Sequence, residues 1–126
     1  MIFGIGTDLC AADRMAAKLQ KPAFVQRVFS PTEQALLNER GGTHRAETAA
    51  ANFAAKEAFL KAAGTGLREP FSLCEIEAIR QENGAPAYRF SGRTAEWGPA
   101  RSLTARLSLS HEGGMALAFC TLEMET

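Results

Sequence analysis

The chain is poor in the features that would tie it to a disulfide framework or a metal cluster. Its three cysteines, Cys10, Cys74 and Cys120, are an odd number with no CxxC spacing, and its two histidines do not complete a zinc motif. The cysteines are expected to be reduced thiols that pack as small hydrophobes, since nothing near them in sequence would activate a thiolate. That argues against a cysteine-histidine nucleophile. Net charge is absent as well: fourteen basic residues balance fourteen acidic ones. No overall field favours nucleic acid or an anionic membrane, so a charged partner must be met by a local patch. No run approaches the roughly 18 apolar residues of a membrane span, and Asp8 interrupts the apolar start before a signal-peptide core forms. The expected compartment is the cytoplasm. Repeats, low-complexity tracts and linkers are also missing. What is there, 126 residues at 46% hydrophobic and 22% charged, is the composition of one domain over 1–126, long enough to bury a core.

Ile2, Phe3 and Ile5 read as a short strand that stops at Gly6-Thr7-Asp8, followed by a helix from Ala11 to Gln20 that ends before Pro22. Ser30-Pro31-Thr32-Glu33 combines an N-cap serine, a proline at the first helical position and a capping-box glutamate, so a short helix starts there. The longest helix runs from about Ala46 to Ala63, rich in Ala, Glu, Lys and Leu, and is stopped by Gly64. Leu73 to Arg80 and Pro86 to Phe90 form a hairpin across Glu82-Asn83-Gly84, and Arg93 to Ala100 is a helix interrupted at Gly98-Pro99. Leu103 to Ser110 alternates, while Met115 to Leu122 is apolar on both faces. These two are expected as adjacent antiparallel strands, with His111 at their connection.

On the long helix Phe53, Glu57, Leu60, Lys61 and Gly64 share one face, with Glu57 and Lys61 one turn apart. A carboxylate and an ammonium ending at a Gly64-Thr65-Gly66 turn can hold a metal and an anion together. Magnesium takes one or two protein carboxylates and completes its octahedron with water and phosphate oxygens. Asp8 is the obvious second carboxylate. Spacing leaves plainer alternatives open: Glu57 with Lys61 as a solvated ion pair, Asp8 as a helix cap, and the glycine turn as a helix stop.

The segment Ile5-Gly6-Thr7-Asp8-Leu9 with Arg14, the run Phe53-Ala54-Ala55-Lys56-Glu57-Ala58 with Lys61 and Gly64-Thr65-Gly66, and Ser108 to Glu123 together resemble the holo-acyl-carrier-protein synthases. These are the small, single-domain branch of the phosphopantetheinyl transferases. Phe71 to Tyr88, with Asn83-Gly84 before Pro86, resembles the family's middle segment, so the likeness covers almost the whole chain. It implies an α+β fold with a small, mainly antiparallel sheet packed on the long helix. It implies transfer of 4′-phosphopantetheine from coenzyme A to a serine of an acyl carrier protein, releasing adenosine 3′,5′-bisphosphate. Asp8 and Glu57 then match the family's metal carboxylates for Mg2+, and Lys61 matches a lysine on the phosphates. Gly64, Thr65 and Gly66 fall on the loop around the nucleotide end of coenzyme A, His111 on a residue lining that site, and Arg45 in a basic stretch that meets phosphate. The serine proton is expected to leave to Glu57 or to a metal-bound water that it orients.

Arg14, Lys18 and Lys21 form a basic strip that Arg27 extends, suited to an acidic carrier protein; a solvated face is the plainer account of Lys18. The family likeness also implies a homotrimer with sites between subunits, and the short chain points to the fatty-acid carrier protein. Asn52 departs from the family pattern, where arginine is usual, as does Met115, where an aromatic residue is usual, and Glu112-Gly113-Gly114 is an unusual turn. Two rival readings lie outside this enzyme class. A non-catalytic coenzyme A or nucleotide-binding module would not need both carboxylates, and an interaction domain would bind neither coenzyme A nor magnesium.

Overall fold

A computed structural model describes residues 1–125. Five strands and five α-helices follow one another: β1 (Ile2–Ala11), α1 (Ala12–Lys18), α2 (Pro22–Val28), α3 (Pro31–Asn38), α4 (Gly42–Ala63), β2 (Ile76–Arg80), β3 (Pro86–Phe90), α5 (Gly92–Trp97), β4 (Leu103–Glu112) and β5 (Met115–Met124). Single 3₁₀ turns cover Leu73–Glu75 and Pro99–Arg101. The strands make two antiparallel sheets, β1-β5-β4 and β2-β3, where one sheet was expected. The α+β class is as expected. No helix among the described residues is long and apolar enough to cross a membrane.

The three-stranded sheet packs one face on α4. Ala46, Ala49, Ala50, Ala54, Ala55, Ala58, Ala62 and Ala63 of this helix are all buried, so it is covered on most sides rather than striped. Small side chains let it settle almost onto the main chain of β1. A Cβ added to Gly6 would lie 2.0 Å from the Ala58 carbonyl oxygen, and one added to Gly4 would lie 2.0 Å from that of Ala62. Gly4 and Gly6 alternate on one face of the strand, and that face is the one the helix touches. Farther along, Phe59 anchors α4 among the rings of Phe71, Phe90 and Trp97, at centroid distances of 5.4, 4.8 and 6.1 Å.

Several boundaries differ from the sequence reading, each for a local reason. β1 does not stop at Asp8; it continues to Ala11, because β5 supplies partners along its length, including Asp8↔Ala118 and Leu9↔Leu117. The first helix is correspondingly short. Pro22 does not merely end it but opens α2 at the first helical position, where a missing N–H costs nothing. The capping box at Ser30 and Glu33 is present as expected, and Gly64 closes α4 in the left-handed region at φ 83°. That helix starts at Gly42, four residues before the expected Ala46. His111 lies inside β4, paired with Ala116, and the chain reverses at Gly113-Gly114 beyond it.

The α4 to β1 approach yields a direct prediction. Gly6→Ala forces the strand off the helix and is expected to destabilise the protein by about 1–3 kcal/mol, the range for overpacking a tight core. Gly41→Ala, where an added Cβ meets nothing within 4 Å, is the control. Urea unfolding of both variants measures the difference.

Candidate active site

Alternation along β1 sets the direction of Asp8. It pairs with the fully buried Ala118, so its carboxylate lies on the sheet face covered by α4. From the helix, Lys61 reaches across and donates to Asp8 Oδ1 at 3.1 Å and to the Thr7 carbonyl oxygen at 2.9 Å. The ion pair of Lys61 is therefore with Asp8 on the strand, not with Glu57 on its own helix. Nor does Asp8 cap α1, whose N-cap is Ala11 with no side-chain cap bond. Two of the three plainer accounts left open by spacing are thus set aside by geometry, while the third holds, since Gly64 does stop α4.

Glu57, one turn before Lys61, lines a cavity of about 150 Å3 together with Asp8, Cys10, Arg14, Lys18 and Phe53. Burial raises the proton affinity of its carboxyl, and the negative charge of Asp8 raises it further; Lys61 and Lys18 offset part of this. Two carboxylates facing one small cavity repel each other, and a divalent cation relieves that repulsion. Among the described residues no three His, Cys, Asp or Glu side chains cluster as a metal cage. Two carboxylates are within the one or two that magnesium takes when water and phosphate oxygens fill its other positions.

Cys10 is only half-buried and lines this same polar cavity, contrary to the expectation of a purely apolar setting. Burial and then Asp8 push its thiol up, so it is not an activated nucleophile. Cys120 is buried in the core and Cys74 is half-buried.

The basic strip divides. Arg14 lines the cavity rim, whereas Lys18 is stacked by its ammonium over the rings of Phe53 and Phe24, at 5.3 and 5.6 Å from their centroids. It is therefore not the solvated charge that its spacing permits. Arg27 lies 6.0 Å from the Phe24 ring, and Lys21 is exposed at the start of α2.

The remaining predicted residues do not all converge. Gly64, Thr65 and Gly66 form an exposed loop just past Lys61, with Gly66 also at positive φ. Arg45, however, is sixteen positions before Lys61 on α4, about 24 Å away at 1.5 Å per residue. His111 lines a second, larger cavity of about 620 Å3 with Arg40, His44, Asn52, Glu77 and Arg89. The sequence reading did not find Arg40 and His44, joined at 2.7 Å, or the buried pair of Lys56 and Glu33. Arg40 and His44 straddle the start of α4, which was placed too late to show their shared face. Glu33 was visible as a capping residue, but nothing in an alanine-rich run marks Lys56 as buried.

A carboxylate pair, a crossing lysine and a glycine loop thus lie together toward one end of α4. The family model described as the 4′-phosphopantetheinyl transferase superfamily matches residues 4–120. The chain belongs to that superfamily. A holo-[acyl-carrier-protein] synthase of Halorhodospira halophila is 43% identical over 125 residues, covering 97% of this chain and 98% of the relative. Among solved structures, the holo-[acyl-carrier-protein] synthase of Neisseria meningitidis superposes with a TM-score of 0.88 at 33% identity, covering 98% of this chain and 99% of that one. That of Bacillus anthracis, solved in complex with CoA (3′,5′-ADP), gives 0.84 at 31%, covering 99% of each. The resemblance drawn from the motifs thus holds for the whole fold.

In this phosphopantetheinyl transferase the Glu57 carboxyl opposes folding. Its folded proton affinity is raised, so the neutral form favours the fold at low pH. As pH rises through the ordinary carboxylate range the unfolded chain ionises first and stability falls. Glu57→Gln is therefore expected to raise the unfolding temperature of the metal-free protein at neutral pH, and the gain should shrink toward pH 4. Thermal unfolding in chelator at both pH values measures it.

Proposed function

We propose that this protein transfers the 4′-phosphopantetheine group of coenzyme A to a serine of an apo acyl carrier protein, with the fatty-acid carrier protein as acceptor, in the cytoplasm. The observation that carries the reading is the meeting of Asp8, Glu57 and Lys61 across the β1 to α4 contact. The serine oxygen forms a bond to the phosphorus bearing the pantetheine arm, the phosphoanhydride P–O bond breaks, and adenosine 3′,5′-bisphosphate leaves. Asp8 and Glu57 would hold magnesium, which supplies charge neutralisation on the phosphoryl oxygens when bound.

This chain's own side chains account for the rest. The Lys61 side chain, 55% exposed and tied to the strand through Thr7 and Asp8, presents an ammonium to the phosphates at the mouth of the site. Glu57 is the carboxylate positioned to take the serine proton, directly or through a water that it orients. The Gly64-Thr65-Gly66 loop admits the nucleotide end because it offers main chain without bulk. No protein nucleophile takes part. Arg14, Lys18, Lys21 and Arg27 dock the acidic carrier protein on α1 and α2, with Lys18 held in place by its two rings.

The site is completed by a second copy of the chain in a homotrimer. Two features support this. Arg45 lies about 24 Å along α4 from Lys61, and His111 opens onto a different cavity from Glu57, an arrangement that a neighbouring copy would complete. In addition, the outer face of the three-stranded sheet carries Ile5, Leu9, Leu117 and Phe119, which are 60, 62, 39 and 40% exposed. A contiguous apolar face of this kind marks an association surface.

Intact-mass analysis of apo carrier protein incubated with coenzyme A and magnesium is expected to show the gain of one phosphopantetheine. Asp8→Ala and Glu57→Ala should each lower the rate at least about 100-fold, the scale of losing a transition-state stabiliser. No gain with a folded protein would favour a binding module instead. Separately, Leu9→Glu is expected to abolish the trimer in light scattering; a monomeric mass for the active wild type would defeat that part of the reading.

A further inference from the structure

Lys56 precedes Glu57 in the chain and has no part in the chemistry above. Its side chain is completely buried, 0% exposed. The ammonium donates to Glu33 Oε1 at 2.7 Å, to the Leu73 carbonyl oxygen at 2.9 Å and to the Ile76 carbonyl oxygen, and it lies 5.6 Å from the Phe29 ring centroid. These oxygens come from α3, from the 3₁₀ turn and from the start of β2. Glu33 also accepts from the Ser30 backbone N–H, and the Ser30 hydroxyl donates to Glu77, which holds Arg89 at 2.7 Å. One ammonium on α4 thereby ties the helix to α3, to the 3₁₀ turn and to β2, while Tyr88 of β3 adds a bond to the Ala55 carbonyl oxygen.

We propose that Lys56 is the positioning residue that aims Glu57 at Asp8, by fixing the rotation of α4 about its own axis. The inference rests on the reading of Glu57 as a metal carboxylate. Consecutive helical residues point about 100° apart, so a device that prevents roll at one sets the direction of the next. On the opposite side the directional bonds are those of Lys61 to Thr7 and Asp8, made by a half-exposed side chain near the end of the helix. Ala58 and Ala62 meet the bare main chain of Gly4 and Gly6, a contact that fixes distance but carries few directional bonds. Three hydrogen bonds from one buried ammonium are directional, and they converge from three segments. A rotation of about 10–20° is enough to spoil a constellation of this kind. Burial drives Lys56 down and Glu33 up in proton affinity, their attraction offsetting only part of this, so the pair is a poor stabiliser and is better explained by what it orients.

Manganese binding to the metal-free protein, read by electron paramagnetic resonance, tests this without turnover. The variants are Lys56→Met and Lys56→Gln, each in a Glu33→Gln background so that no charge is left buried alone, with urea unfolding run on each. The methionine variant is expected to bind manganese about tenfold more weakly than wild type, the scale for losing a supporting group of a metal ligand. The glutamine variant, which keeps N–H donors for the carbonyls, should recover part of that loss. A folded methionine variant within twofold of wild type overturns the proposal. Should it not fold, Glu33→Gln alone decides: it leaves Lys56 its oxygen partners and should bind within threefold of wild type despite a lower unfolding midpoint, whereas a tenfold loss would tie affinity to stability and overturn the proposal. A wild type that binds no manganese removes the metal reading of Glu57 and this inference with it.

Discussion

The approach of α4 to β1 without intervening side chains is the constraint on which the rest of the molecule depends. Gly4 and Gly6 on the strand, with Ala58 and Ala62 on the helix, bring two main chains into contact. Only at that distance can a lysine from the helix bond both a strand carbonyl and a strand carboxylate, as Lys61 does with Thr7 and Asp8. A larger residue at any of these positions would separate the acid on the sheet from the acid on the helix. Composition and chemistry are linked there: the alanine content of α4 is what makes a site between secondary structures, rather than in a loop, geometrically available.

Around that contact the helix is held in two other ways. At its C-terminal half Phe59 is clasped by Phe71, Phe90 and Trp97, which resists withdrawal of the helix from the hairpin side. In its middle the Lys56 ammonium is bonded to α3 and to the segment entering β2. Apolar packing supplies cohesion but tolerates small rotations; charged hydrogen bonds add little net stability but select one arrangement. The fold uses each where its property is needed. Glu57 pulls the other way, since its surroundings raise its proton affinity and it opposes folding when ionised. Function here is supported by a scaffold stabilised elsewhere.

Much of this was legible in the sequence because the signals were local. The capping box at Ser30 and Glu33, the glycine stop at Gly64 and the alternation of β4 each depend on a few neighbouring residues, and each is where it was expected. The motif around Glu57 and Lys61 was legible through family resemblance more than through spacing, which allowed an ordinary ion pair. What was not legible depends on partners distant in the chain. β1 extends past Asp8 because β5 is there to pair with it, and Pro22 begins a helix because Phe24 and Val28 have a core to enter. The burial of Lys56 rests on oxygens seventeen and more positions away. The split of the predicted site between two ends of α4 was hidden for the same reason, since motif order says nothing about separation in space.

The outer face of the β1-β5-β4 sheet has a further consequence. With Ile5, Leu9, Leu117 and Phe119 uncovered in the single chain, any association that hides them is coupled to folding by mass action. Dilution then acts as a weak denaturant. The protein in a crowded cell and the same protein in a dilute assay would differ in how tightly the sheet, and with it Asp8, is held against the helix.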